Sequence, residues 1–457
     1  MNHLPLKTPI VAFALLLLAS HAFAQDIGPV LQQAESLLSA GRAAEAYQLL
    51  APHETQQKND ARFDYLLGAS LLESNQAAQA IAPLKRALAI NPLFAAARLD
   101  LGRAHFAVGN FDEAKSALNT AAYQNPPPAA RQAIGYYLAE IERGGRATNL
   151  SGNAYISATV GRDSNVSGGL KDNQIFFLDQ GIEIPFPVNK NNLQASDAYV
   201  SYSVGANVRL ALDHNLALFA NADVQRRDNN TLHIFDSMNG VLNLGLEKNL
   251  GQSNFKISGN FGRGVLDYTN LRRNNGGTLE WRYDFSRLEQ FTFYSQAGRI
   301  RFYPRAYRDY DVNQRLFGIS WFSVSDTNGS PSISTGINYG EETAQGALPD
   351  GNKRTWGARL GGQISVASNL VAAAGLGYSR DQFDRERLIS FDTKPGVIPV
   401  TLARSDNKTD FNLGLTWVPE LNWTVRPNYT HTRATSNNSI YEFARNDFSL
   451  SIRRDFR

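Results

Sequence analysis

The chain of 457 residues contains no cysteine. That absence excludes a lipid-anchored N-terminus, a disulfide scaffold and a thiolate metal site. An excess of one charge is also missing, since 45 Lys and Arg stand against 42 Asp and Glu. A nucleic-acid binder would show a basic face or stripe, so no nucleic-acid partner is expected. Outside the N-terminus no run of 18 or more apolar residues occurs, so no transmembrane helix is predicted. Histidine is scarce: beyond the first 24 residues only His53, His105, His214, His233 and His431 remain, and none forms a metal-ligand pair at helical spacing. There is no G-x-S-x-G elbow and no phosphate loop. "GLG" (Gly375 to Gly377) lies in a strand pattern with no helix after it, unlike a dinucleotide fingerprint. "GRDSNV" (Gly161 to Val166) offers oxygen ligands, but its spacing is that of a polar turn, not a calcium loop. No catalytic residue, metal or cofactor is expected.

What is present begins with an address. Lys7 precedes the apolar stretch "IVAFALLLLAS", and "AFA" (Ala22 to Ala24) precedes Gln25. This order of charge, short apolar core and small residues is that of a secretory signal peptide over residues 1–24. Lys7 is the only charged residue within it, so cleavage lowers the formal charge from +3 to +2.

The composition shifts near residue 145, from Ala and Leu to Gly, Asn, Ser, Thr and aromatics. Before the shift the chain repeats itself. Gly68 and Gly102 lie 34 residues apart, as do Leu67 and Leu101, Ala80 and Ala114, Leu84 and Leu118, and Ala87 and Ala121. Pro92 and Pro126, each after Asn, close the two units, and Gly41, Ala46 and Leu50 mark a weaker earlier copy. These residues and this period resemble the tetratricopeptide repeat, predicting a stack of helix hairpins over residues 25–145. "PPPAARQAIGYYLAEIER" (Pro126 to Arg143) reads as its closing helix. By that resemblance the first helices line a peptide-binding groove, which puts Arg62, Tyr65, Glu73, Arg103 and Phe106 on it as candidates. His105 falls at a packing position of its repeat and reads as structural.

From Leu150 the apolar residues alternate, as in "LSGNAYISATV", "FKISGNF", "WGARLGGQISV" and "WTVRPNY", in about 14 segments. Tight turns at 213–215, 286–289, 368–369 and 419–422 alternate with longer polar connections such as 162–196 and 380–408. This predicts an antiparallel transmembrane β-barrel over residues 146–457, following helical repeats that sit on its periplasmic side. Trp417 and Trp423 flank one tight turn, as aromatics do at a membrane interface.

The final stretch, "NDFSLSIRRDFR", carries Phe448, Leu450, Ile452 and Phe456 on one face. An isolated strand there would leave an unpaired edge. It is expected to pair with the first strand near Asn153 to Val160 and close the barrel. Its pattern resembles the C-terminal signal read by the barrel-assembly machinery, with the departure that Arg457 follows Phe456.

Residues between the apolar ones then face the lumen. They include Lys256, Glu280, Arg282, Asp284, Arg426 and Arg453, together with Ser258, Asn260, Gln363, Ser365, Asn412, Thr416 and Asn428. Both signs are present, unlike a dedicated anion or cation pore. The first external loop, "IFFLDQGIEIPFPV", is apolar for an exposed segment. Phe176, Phe177, Ile184 and Phe186 in it are candidates for a lumen plug, the preferred reading, or for a client-facing surface. "YPRAYRDY" (Tyr303 to Tyr310) mixes Arg and Tyr, a recognition chemistry or a lipopolysaccharide contact.

A secretory signal, a short tetratricopeptide domain and a barrel of about 14 strands together resemble the surface lipoprotein assembly modulators, the outer-membrane component of the type XI secretion system of the Gram-negative envelope. "SGNAYISATVGRDSNVSGG" (Ser151 to Gly169) is similar to that family's entry into the barrel. The resemblance implies protein secretion. A periplasmic client, either a surface lipoprotein or a soluble secreted protein, is captured by the repeats and delivered across the outer membrane. It implies as partners that client, the barrel-assembly machinery, periplasmic chaperones and outer-membrane lipid, and it carries no catalytic residues. An exopolysaccharide export porin, which also joins tetratricopeptide repeats to a barrel, is the alternative. A plain diffusion porin ranks third because it needs no helical domain.

Overall fold

The computed structural model describes residues 27–57, 60–124, 126, 128–142, 149–213, 215–286, 288–325, 329–420 and 422–456. The signal segment 1–24, the compositional boundary at 145 and Arg457 lie outside them.

Among the described residues seven helices come first: α1 (Gly28–Ser39), α2 (Ala43–Leu50), α3 (Ala61–Glu73), α4 (Ala77–Ile90), α5 (Ala95–Ala107), α6 (Phe111–Tyr123) and α7 (Pro128–Glu142). They form three hairpins and a closing helix. The 34-residue period has a direct cause in packing. A Cβ on Gly68 would sit 2.6 Å from Leu84 Cγ, and one on Gly102 would sit 2.6 Å from Leu118 Cγ. Glycine therefore lets the two helices of each hairpin touch where the leucine enters. The first helix of each hairpin also ends alike, with Gly41, Asn75 and Gly109 at φ of +74°, +61° and +80°. That left-handed step stops a helix cheaply only at Gly or Asn. Asp60 caps α3, its carboxylate accepting from Arg62 N–H and Phe63 N–H at 2.8 and 3.0 Å. Phe63, Leu67, Leu84 and Phe94 form the buried seam between repeats.

The strands follow. β1 (Leu150–Asp163) is separated by the hairpin β2 (Gln174–Asp179) and β3 (Ile182–Pro187) from β4 (Asp197–Ala211). Then come β5 (Leu216–Asn229), β6 (Ser237–Leu250), β7 (Ser253–Leu266), β8 (Thr269–Asp284), β9 (Glu289–Phe302), β10 (Val312–Val324), β11 (Ser332–Ala344) and β12 (Lys353–Ala367). The chain ends with β13 (Leu370–Ile389), the two-residue β14 (Phe391–Asp392), β15 (Val400–Trp417), β16 (Trp423–Ser436) and β17 (Phe443–Phe456). All but β2, β3 and β14 form one closed antiparallel barrel of fourteen strands, in which β17 pairs with β1 from Ala154↔Phe456 to Asp163↔Asp447. The edge problem of the last strand is solved by this closure.

Two sequence expectations are corrected. The connection expected over 380–408 is mostly strand, because β13 continues to Ile389 and β15 begins at Val400. Above the membrane a strand needs no apolar face, so Arg380, Asp381 and Arg385 disguise it. The connection between β7 and β8 is a two-residue turn, Asp267 and Tyr268, both at positive φ. Long external loops are thus not universal here.

The outer face exposes Ile156, Val204, Ile257, Ile337, Leu450 and many like them. A continuous apolar belt on a closed barrel is a lipid-facing wall. Trp281, Trp321, Trp417 and Trp423 lie near the short turns, and Trp356 packs at a tilt against Tyr339 (4.5 Å between centroids) toward the other end.

Candidate functional site

The sides of the barrel are built by alternation, so the inward positions can be traced across strands. Lys256, Ser258, Asn260, Glu280, Thr416, Arg426 and Arg453, all expected inward, line one polar lumen cavity of about 720 Å³. Its charges neutralise one another. Lys256 lies 3.6 Å from Glu280, Arg209 lies 3.3 Å from Glu247, and Arg453 lies 2.6 Å from Asp455. Tyr155 donates its hydroxyl proton to Asp223, and the Arg453 guanidinium stacks on the Tyr155 ring at 3.6 Å. A wall of paired charges presents hydrogen-bonding groups without a strong field of either sign. Nearer the external mouth, Asp163 is fully buried between Arg227 and Arg445, while Tyr199 donates to Asp447 at 2.9 Å. Asp163 thus serves as an anion in an ion-pair cluster, and the adjoining Asn165 bonds the backbone of Gly169 and Ala444.

The floor of this cavity is helical. Tyr123 at the end of α6, and Ile134, Gly135 and Tyr136 on α7, line it together with the barrel wall. The repeat domain therefore sits against the mouth that carries the short turns. Ser330, in the turn between β10 and β11, donates to the Leu93 carbonyl at 2.9 Å across the same junction. A second cavity, about 390 Å³, opens between the repeats and the turns. Tyr65, Glu73, Asp100, Arg103 and Ile134 form its helical side, with Gln252, Leu288 and Phe322 opposite. Ile134 lines both cavities.

Three of the five groove candidates, Tyr65, Glu73 and Arg103, thus meet at one cavity. Tyr65 is buried and packs on Phe94 at 4.7 Å, so its ring is inter-repeat structure as well as lining. Arg103 reaches Glu73 at 3.0 Å, Asp100 at 2.8 Å and the Tyr137 hydroxyl at 3.4 Å. Burial works against its charge, but Asp100 and Glu73 more than offset this and raise its pKa. Arg62 is held by Glu35 through bonds of 2.9 to 3.1 Å. Phe106 packs on Phe111 and Tyr137 at 5.7 and 5.2 Å. His105 is buried with its pKa lowered chiefly by that burial.

At the other end, Phe176, Phe177, Ile184 and Phe186 do not line the 720 Å³ cavity. They belong to the β2–β3 hairpin, which pairs with β14 of the 390–399 loop to make a three-stranded sheet. Glu183 accepts from Gly396 N–H and Val397 N–H at 2.6 and 3.0 Å, and Phe177 packs on Phe391. Ile184 and Phe186 remain 45% and 57% exposed. On β17, Phe448, Leu450, Ile452 and Phe456 all point to the lipid side, 42–61% exposed. The Arg–Tyr loop forms a short 3₁₀ segment, Arg305–Tyr310, whose Tyr307 and Tyr310 rings pack near Phe302.

Sequence reasoning did not single out Tyr155, Ile134 or Tyr136. Tyr155 sits at an inward position of an evident alternation. The tyrosines of α7 read as repeat packing because nothing local to them reveals the barrel.

Comparison with known proteins fits this architecture. Residues 71–135 match the tetratricopeptide repeat, and residues 153–456 match the surface lipoprotein assembly modifier. The chain belongs to the surface lipoprotein assembly modifier family. It is an outer-membrane barrel with a helical repeat domain outside the barrel, on the periplasmic side. Family and fold make it a transport and assembly barrel in the outer membrane, and the family's name implies a surface lipoprotein as client. No curated protein matches. Among solved structures it is similar to OmpT, an outer membrane protein of Vibrio cholerae, at 10% identity over 68% of this chain and 99% of that one, with a TM-score of 0.37. The TodX monoaromatic hydrocarbon channel is similar at 11% identity over 74% and 94%, with a TM-score of 0.34. MamA shares 26% identity over 26% of this chain and 70% of its own, with a TM-score of 0.24. Likenesses this distant say nothing about activity.

Proposed function

We propose that the repeat domain captures an incompletely folded periplasmic client and that the barrel delivers it across the outer membrane, as a surface lipoprotein or a secreted soluble protein. In this reading residues 1–24 are the removed signal, 25–145 the periplasmic capture domain and 146–457 the translocating barrel. The observation that carries it is Ile134, which lines the repeat groove on one side and the lumen on the other. A segment held beside Tyr65, Glu73 and Arg103 needs to travel only one side chain to enter the barrel. The internally paired lumen suits a polypeptide of mixed charge better than a uniformly charged polysaccharide, so it supports a protein client.

Folding of the client outside supplies the direction of transport. Periplasmic chaperones deliver the client, and the exposed hairpin bearing Phe176, Phe177, Ile184 and Phe186 meets it as it emerges. The outward face of β17 serves as the signal for the barrel-assembly machinery. Deleting residues 26–145 tests the capture step. The barrel should still insert, and the client should accumulate in the periplasm. Undiminished export by the bare barrel would overturn the proposal.

A further inference from the structure

Pro427 is the one proline inside the fourteen barrel strands. Proline has no N–H to give a neighbouring strand, and in sheets it is confined to edges, first positions and bulges. A closed barrel has no edge, so a proline within β16 must weaken a seam. It does so toward β15. Gly414 pairs with Asn428 and Trp417 with Val425 in one unshifted register, but between them the ladder lapses at two positions, Leu415 opposite Pro427 and Thr416 opposite Arg426. On the other side Pro427 keeps its place against Leu450 of β17. The lapse lies one step above the turn 418–422, at the level of Trp417 and Trp423, and so faces the inner leaflet.

Two cavities meet at this lapse from opposite sides of the wall. Thr416 and Arg426 line the polar lumen cavity. Their chain neighbours Leu415 and Pro427 line an apolar groove of about 780 Å³ on the outer face. The groove follows one row of the barrel, Val160↔Leu450, Leu450↔Pro427 and Leu415↔Ala372. Small side chains at Pro427 and Ala372 sink its floor. Tyr429 and Phe448, whose rings lie 4.5 Å apart, raise one wall.

We propose that this groove is an acyl-chain site for the lipid anchor of the client, and that the seam between Leu415 and Pro427 is where an anchor in the membrane stays joined to polypeptide in the lumen. The proposal rests on the translocator reading above and narrows its client to a lipidated one. Bulk membrane lipid covers the whole outer wall and has no use for a weakened seam. A trough set on that seam, one residue from the polar cavity, fits a molecule with a polar chain and an apolar anchor.

The chain has no cysteine, so a seam lock can be built without competing thiols. Facing positions of an antiparallel pair lie within disulfide reach. Leu415→Cys with Pro427→Cys closes the seam on oxidation, and Leu246→Cys with Ile257→Cys locks the regular β6–β7 pair as a control. Cells fed alkyne-palmitate are then assayed for labelled lipoproteins accessible to external protease. The seam lock should lower surface-exposed label at least tenfold, dithiothreitol should restore it, and the control lock should change nothing. Pro427→Val, which restores the N–H, should lower it severalfold and decides the matter if the locked barrel does not fold. A photo-crosslinking residue at Tyr429 should capture alkyne-labelled protein; labelled phospholipid alone would overturn the proposal. Full surface display through a locked seam would overturn the groove while leaving the translocator reading intact. Surface lipoproteins unchanged on removal of the whole chain would overturn both.

Discussion

Arg103 on α5 bridges two repeats, its guanidinium 3.0 Å from Glu73 on α3 and 2.8 Å from Asp100 one turn before it. Glu73, Arg103 and Tyr137, on α3, α5 and α7, are tied by one side chain. The cavity between the repeats and the turns is therefore braced by a charged residue that also lines it.

Arg103→Ala removes that brace and one charged partner of Asp100, which is almost fully buried. Loss of one partner of a charge-assisted bond costs roughly 1–3 kcal/mol. Hydrogen exchange of residues 61–123 in the full chain should speed up accordingly. Arg103→Lys keeps the charge but not the fork, so it should recover only part of the protection.

The hairpin contacts give a sharp contrast among glycines. Gly68→Ala and Gly102→Ala place a methyl group 2.6 Å from a leucine Cγ, and overpacking of this kind costs about 1–3 kcal/mol. Gly135, in the middle of α7, has nothing within 4 Å of its would-be Cβ, so Gly135→Ala should raise the thermal stability of the repeat domain slightly, by about 0.5–1 kcal/mol of helix propensity.

Asn75 holds φ at +61° where Gly41 and Gly109 stand in the neighbouring repeats. Asn75→Ala should cost about 1 kcal/mol, the ordinary penalty for a left-handed alanine, while Asn75→Gly should not. The difference is read from thermal melts of the two variants.

Asp64 is fully buried, pairs with Arg86, and leaves its Oδ2 without a hydrogen-bond partner among the described residues. Burial raises its pKa despite the Arg86 bond. A raised carboxyl binds more protons folded than unfolded, so its contribution is greatest in acid and is lost as pH rises through the folded pKa. Arg86→Ala removes the compensating charge. It should cost roughly 3 kcal/mol at neutral pH, and less in acid, where a protonated Asp64 has no charge left to compensate. An equal loss in acid and at neutral pH would contradict the pairing.

Much of this architecture is legible in the sequence because two periodicities are nearly undisturbed. The 34-residue period exists because Gly68 and Gly102 must admit Leu84 and Leu118. The period of two exists because one face of each strand meets lipid. Legibility fails where those causes stop acting. Arg380 to Arg385 stand above the membrane and alternate no apolar face, so a strand there reads as loop. "WTVRPNY" reads as an unbroken strand, since alternation is a side-chain pattern and Pro427 interrupts only the backbone. The groove candidates are recognisable by position in the repeat. That Tyr65 also packs on Phe94, and that Tyr136 faces the lumen, depends on contacts between elements that no local pattern encodes. The apolar β2–β3 segment stands out in the sequence, but its pairing with β14, more than 200 residues later, does not.

The most direct measurement replaces Tyr136, on the helix that floors the lumen, with a photo-crosslinking residue in cells exporting at their normal level. If the repeats hand a client to the barrel, irradiation yields an adduct with one or two specific proteins that are otherwise found at the surface or in the medium. The adduct should vanish when residues 26–123 are deleted. No protein adduct, or one with polysaccharide in its place, would contradict transport of a protein through this junction.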